Sequence, residues 1–106
     1  MLRIHSVIVD TIRLTASVAE RIARKDRDLA SQYRRALSSA LLNVAEGSNQ
    51  RGARRASHYS IALGSAEEAW SALLAVAAWG CILELDVSIA GRFRQIIGTL
   101  HRVVHG

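Results

Sequence analysis

Apolar side chains recur every three or four residues along almost the whole chain, and no proline interrupts them. No stretch keeps a period of two for long, so the pattern predicts amphipathic helices rather than strands. Segment one, about Leu2 to Arg24, sets Ile4, Ile8, Ile12, Ala19 and Ile22 in one stripe, with Val7 and Val18 at its edge. Arg3, Arg13, Arg21 and Arg24 fall elsewhere on that wheel. Segment two, about Leu29 to Glu46, aligns Leu29, Tyr33, Ala36, Leu37, Ala40, Leu41 and Val44. Segment three starts near Ala53 or Arg54 and runs to Trp79, placing Tyr59, Ala62, Leu63, Ala66, Trp70, Leu73 and Ala77 on one face. Segment four opens at Leu85-Asp86 and carries Ile89, Phe93, Ile96, Ile97, Leu100, Val103 and Val104.

The punctuation between segments is short. Asp26 or Asp28 can cap the second helix and Asp86 the fourth, since a short side-chain oxygen accepts from free first-turn amides. Gly47 and Gly80 are expected as helix stops, because glycine takes the left-handed conformation cheaply. Four helices with short connections predict an all-α, antiparallel up-down-up-down four-helix bundle, a single domain over residues 1–106. The chain has 17 alanines and only five aromatic residues, so its core is thin for its length. Burial is worth ~25 cal/mol per Å² against roughly 1.5 kcal/mol of lost entropy per residue, which leaves a lone copy little margin. A homo-oligomer is expected.

Charge divides the functional possibilities. Residues 1–60 carry eleven basic and five acidic groups, residues 61–91 four acids and no base, and the last fifteen residues three bases. Arg51, Arg54 and Arg55 surround a glycine-containing loop at a helix start and could cradle phosphate. Arg24, Arg27 and Arg34, with Lys25 and Arg35, form a second basic group at the opposite end of segment two. These arginines are the candidate nucleic-acid contacts, although a solvated basic face has the same composition. No phosphate-binding loop with Lys-Ser/Thr, nucleophile elbow, dinucleotide loop or di-iron spacing is present, so no catalytic residue, cofactor or metal is expected. His101 and His105 stand four apart on segment four without a nearby carboxylate. One cysteine, Cys81, cannot form an internal disulfide. The longest uncharged run, Ala69 to Leu83, has 15 residues against the ~20 needed to span a bilayer. A cytoplasmic protein with no membrane partner is expected.

The hairpin from segment two to segment three holds the most distinctive residues. With its turn near Gln50, antiparallel neighbours have numbers summing to about 100, placing Glu46 near Arg54 or Arg55 and Glu68 near Arg34 and Arg35. Such pairs would fix register. Gly64 in mid-helix costs about 1 kcal/mol relative to alanine, which close approach of segment two or of another subunit would explain. Ser65 can bond across the same interface. Asn43, Glu46 and Glu68 could alternatively make a ligand site, but a structural lock is the reading taken for them.

Gln32-Tyr33-Arg34-Arg35-Ala36, then Asn43-Val44-Ala45-Glu46-Gly47, then Ile61-Ala62-Leu63-Gly64-Ser65 and Glu68 resemble the four helix bundle protein family. That family is best known from proteins encoded in intervening sequences of 23S rRNA genes, and the accessory variability proteins of diversity-generating retroelements are related to it. The resemblance covers most of the chain, with its motifs between residues 32 and 68. It implies an antiparallel four-helix bundle, usually a homopentamer, with no established enzymatic activity. For the retroelement relatives it implies a basic barrel that binds nucleic acid and a reverse transcriptase. Arg35, Asn43, Glu46, Gly47, Gly64, Ser65 and Glu68 carry over as the hairpin motif. Leu41 and Leu42 stand where the family often has proline, His58 where an aromatic residue is usual, and Trp70 where a polar residue is common. The functional expectation is therefore a non-enzymatic scaffold associated with RNA or DNA; the alternative is a protein-interaction module with no nucleic-acid role.

Overall fold

A computed structural model of the chain describes residues 2–82 and 85–106, so Met1, Leu83 and Glu84 lie outside it. Four helices are present among the described residues: α1 (Ile4–Lys25), α2 (Arg27–Ser48), α3 (Gly52–Ala78) and α4 (Val87–His105). They form an all-α four-helix bundle measuring 42 × 23 × 20 Å. Each helix packs on its successor and α4 also packs on α1, with the most extensive interface between α2 and α3.

The connections are tighter than the sequence pattern suggests. α1 and α2 are separated by Asp26 alone, whose extended backbone (φ −151°, ψ 99°) reverses the chain. Its carboxylate accepts from the Leu29 amide at 3.0 Å, so α2 starts two residues earlier than the apolar spacing implies. At the end of α3, Gly80 takes φ +80°. The Gly80 amide donates to Ala77 at 3.1 Å and the Cys81 amide to Val76 at 3.0 Å, closing the helix by the expected glycine device. Asp86 caps α4 through the Ser88 amide and hydroxyl, each 2.7 Å away. Those two donors hold the Asp86 carboxyl below the usual carboxylate range.

Gly47 does not act as the stop assigned to it. α2 continues to Ser48, and Gly47 is buried inside the helix with the Tyr59 ring laid over it. A β-carbon there would lie 2.5 Å from Tyr59 Cε1 and 2.7 Å from Cδ1. The left-handed glycine near this turn is Gly52, with φ +57°, which opens α3 one or two residues earlier than predicted. Gly47→Ala is therefore expected to destabilise the bundle by about 1–3 kcal/mol, because displacing a packed ring outweighs alanine's ~1 kcal/mol helix preference. Urea unfolding would measure this. The cost should shrink when Tyr59→Ala removes the ring, a coupling that a double-mutant cycle reads directly.

The core draws on all four helices, with Ile8, Ile22, Leu37, Leu73, Phe93, Ile96 and Leu100 fully buried. Alanines occupy much of the α2–α3 contact: Ala36, Ala40, Ala62, Ala66 and Ala69 are all buried, which lets the two backbones approach closely. Most of the predicted apolar faces are the buried ones. Trp79, the residue after α3, is 80% exposed. Leu29, Leu41 and Ile97 are only partly buried, Trp70 sits at the core's edge, and Val103 is exposed.

The α1 stripe contains two polar members that the apolar pattern passes over. Thr11 and Thr15 are fully buried, and their hydroxyls donate to the carbonyls of Val7 and Thr11 at 2.7 and 2.8 Å. Tyr33 Oη then donates to Thr15 Oγ1 at 2.7 Å, joining α1 to α2 through a satisfied polar chain. Burial pushes the Tyr33 phenol up to about 12, with the Thr15 bond opposing the shift.

Candidate nucleic-acid interface

The hairpin motif divides into an inner seam and an outer face. On the inside, Ser39 Oγ and Ser65 Oγ are 2.8 Å apart across the helices. Asn43 Nδ2 donates to the Ser39 carbonyl at 2.9 Å and to its hydroxyl at 3.3 Å. Asn43 Oδ1 lies 3.0 Å from His58 Nδ1. An amide oxygen can only accept, so Nδ1 carries the proton and the neutral ring keeps its lone pair on Nε2. Ser39–Ser65, Asn43–His58 and Gly47–Arg55 follow the antiparallel register deduced from the turn position.

The expected ion pairs are absent from that register. Among the described residues one salt bridge forms, Asp10 to Arg13 at 3.7 Å on the exposed side of α1. Glu46, Glu68, Arg34 and Arg35 all point outward into solvent. Small hydroxyls and one amide occupy the seam instead, which avoids the desolvation penalty of burying paired charges. Arg55 has a different partner from the one predicted: its Nε donates to the carbonyls of Gly47 at 3.2 Å and Gln50 at 2.8 Å. A cation thus closes the carboxyl end of α2, where the helix dipole favours it.

Gly64 likewise faces outward, and a β-carbon there would meet nothing within 4 Å. Close approach of α2 does not account for it, because α2 packs on the other side of α3. Leu42 (63% exposed) and Ile61 (48% exposed) lie on the same outer surface of the hairpin. Among the motif residues, then, Asn43, Gly47 and Ser65 hold α2 to α3, whereas Arg35, Glu46, Gly64 and Glu68 decorate the open face.

The six candidate arginines do not form a single patch. Arg24 and Arg27 flank the Asp26 turn, while Arg51, Arg54 and Arg55 stand beyond the other end of α2, roughly 33 Å away for a helix of this length. Arg34 lies between them, on the rim of an α1–α2 groove floored by Thr15, Tyr33 and Leu37 and flanked by Glu20. The packing fixes which termini share each end. Leu2 lines a hollow with Ser48, Arg55 and Tyr59, and Arg21 lines another with Leu85, Asp86 and Val87. The start of α1 and the finish of α4 therefore sit at the α2–α3 turn.

That end gathers Arg3, Arg51, Arg54, Arg55 and Arg102 against a single acid, Glu46. Counted to the same depth, the opposite end has Arg21, Arg24, Lys25, Arg27 and Arg92 against Glu20, Asp26, Asp28 and Asp86, a near balance. The positive field is concentrated at one pole, which the linear charge count does not reveal. Arg3 and Arg102 join it only through the fold. Pairing residues whose numbers sum to about 100 would have placed Asn43 opposite His58, so that contact had a signal in the sequence. No protein-family model, curated protein or solved structure matches the chain.

Proposed function

We propose that the chain is a non-enzymatic scaffold that associates with nucleic acid through the arginine-rich pole and assembles with copies of itself through the outer face of α2 and α3. The observation that carries the reading is the concentration of five arginines against one acid at one end of a bundle whose other end is nearly balanced. Fixed positive charges held on helix termini attract a phosphate backbone without any need for base-specific contacts. The resemblance of the hairpin motif to the four helix bundle protein family supports the same reading, and with it a pentamer and a setting near an rRNA intervening sequence or a reverse transcriptase. Self-association draws separate support from the outer face. Gly64 leaves room there for another backbone, and Leu42 and Ile61 supply apolar contacts.

Titration of labelled single-stranded and duplex RNA and DNA at low salt is expected to give saturable binding. Its logarithm should fall with the logarithm of salt concentration at a slope between about −2 and −5, as contacts from up to five arginines require. An absence of binding to all four at low salt would remove the nucleic-acid part of the proposal. Light scattering should give a mass several times the 11.6 kDa of one chain. A second reading, a protein-interaction module, rests on the exposed Leu42–Ile61 surface. It would be favoured by an oligomer that forms normally and ignores nucleic acid.

A further inference from the structure

All four histidines of the chain stand at the arginine-rich end, and none at the opposite end. His5 is in the first turn of α1, His58 in the second turn of α3, and His101 and His105 in the last two turns of α4. Three helices are brought together at one pole, each carrying the side chain whose charge ordinarily changes between pH 5 and 8. With the imidazoles neutral, five arginines stand there with Glu46 and, as deep in the bundle as His58, Asp10; with all four rings protonated the net positive charge more than doubles.

The local geometry lets this charge be added without disturbing the fold. His58 donates from Nδ1 to Asn43 Oδ1, a bond that the imidazolium keeps, so the second proton enters at Nε2 away from the seam. His101 and His105 are exposed, with ring centroids 4.4 Å apart and planes inclined at 48°. Two positive rings at that separation repel each other, and a phosphate beside them relieves the repulsion. Protonation and anion binding therefore promote one another, by reciprocal linkage. The other charged groups at this pole are Arg3 just before α1, Glu46 on α2, Arg51, Arg54 and Arg55 at the start of α3, and Arg102 on α4 itself. Asp10, in the second turn of α1, lies as deep as His58 and is paired with Arg13.

We propose that this pole is a proton-gated docking surface for a phosphodiester backbone, one whose affinity rises as pH falls from about 8 to about 5.5. The inference rests on the nucleic-acid reading above and adds to it the location, the four histidines and the pH dependence.

Anisotropy titrations with oligo(dT), whose thymine ring does not titrate in this range, would test it across several salt concentrations. Between about pH 8 and about pH 5.5 the salt slope should steepen by ~0.7 for each histidine engaged, hence by about 2–3 in all. The exposed pair His101→Gln/His105→Gln should remove about 1.4 of that increment. Arg51→Gln/Arg54→Gln should weaken binding at both pH values, whereas Arg24→Gln/Arg27→Gln should leave it near wild type. Circular dichroism at both pH values confirms that the bundle is intact. Binding whose strength and salt slope are the same at both pH values would overturn the gating alone. So would a pH response that the double histidine variant retains in full. A larger loss from the Arg24/Arg27 variant than from the Arg51/Arg54 variant would overturn the location. No binding at either pH would overturn the nucleic-acid reading, and the inference with it.

Discussion

Phe93→Ala is expected to lower the stability of the bundle by about 3–5 kcal/mol, the range for deleting a fully buried aromatic side chain. Phe93 is 1% exposed, and its ring centroid lies 5.4 Å from that of Trp70 and 6.3 Å from that of Tyr33. It therefore ties α4 to both α3 and α2 in a core otherwise rich in alanine. Truncation removes the largest of the fully buried side chains. For domains whose whole stability is of order 5–15 kcal/mol, such a loss approaches global unfolding. Denaturant midpoints would measure it. Phe93→Leu should recover most of the loss, because a branched aliphatic group fills much of the same volume. A loss below about 1 kcal/mol for the alanine variant would contradict this packing.

The second large effect is alkaline. The Tyr33 phenol ionises near pH 10 when exposed, but burial raises it to about 12 in the folded chain. The neutral form is thus favoured by folding. Its contribution is complete below pH 10 and is lost as pH climbs through 12, because only the unfolded chain gives up the proton easily in between. Two pH units correspond to about 2–3 kcal/mol. Chemical unfolding at a series of pH values from neutral to about 12 should show this decline, and Tyr33→Phe should abolish the part due to this residue. Near neutrality the same substitution should cost only about 1 kcal/mol, since Thr15 keeps its bond to the Thr11 carbonyl. An alkaline decline as steep in Tyr33→Phe as in the wild type would assign it to other groups.

The helices were legible because the apolar period runs unbroken, and the caps at Asp26, Asp86 and Gly80 follow from side chains that act locally. What escaped the sequence depends on contacts between segments. Thr11 and Thr15 look polar on a helical wheel, yet each satisfies its own hydroxyl on the preceding turn and so can be buried. Gly47 looked like a helix stop because nothing in its neighbours announces that Tyr59, twelve residues on, needs the space above it. The pairing of Glu46 and Glu68 with arginines followed from correct register but not from facing direction. Register alone cannot say whether a long charged side chain turns inward or stays hydrated. The candidate interface was legible as arginines but not as a surface. Only the packing of both chain termini against the α2–α3 turn shows that Arg3 and Arg102 reinforce Arg51, Arg54 and Arg55, while acids match Arg24 and Arg27.

The connection between α1 and α2 has a topological consequence. One residue, Asp26, interrupts helical geometry between Ile4 and Ser48. If its backbone rotated from the extended to the helical region, the two helices would fuse into a single rod of about 67 Å, far longer than the 42 Å molecule. The apolar stripe of α1 would then leave its own bundle and could be covered only by the vacant position in another chain, an exchange of identical arms. The bond from the Leu29 amide to the Asp26 carboxylate holds the closed arrangement. That cap and the packing of α1 on α2 and α4 together keep the fold self-contained instead of interlocked.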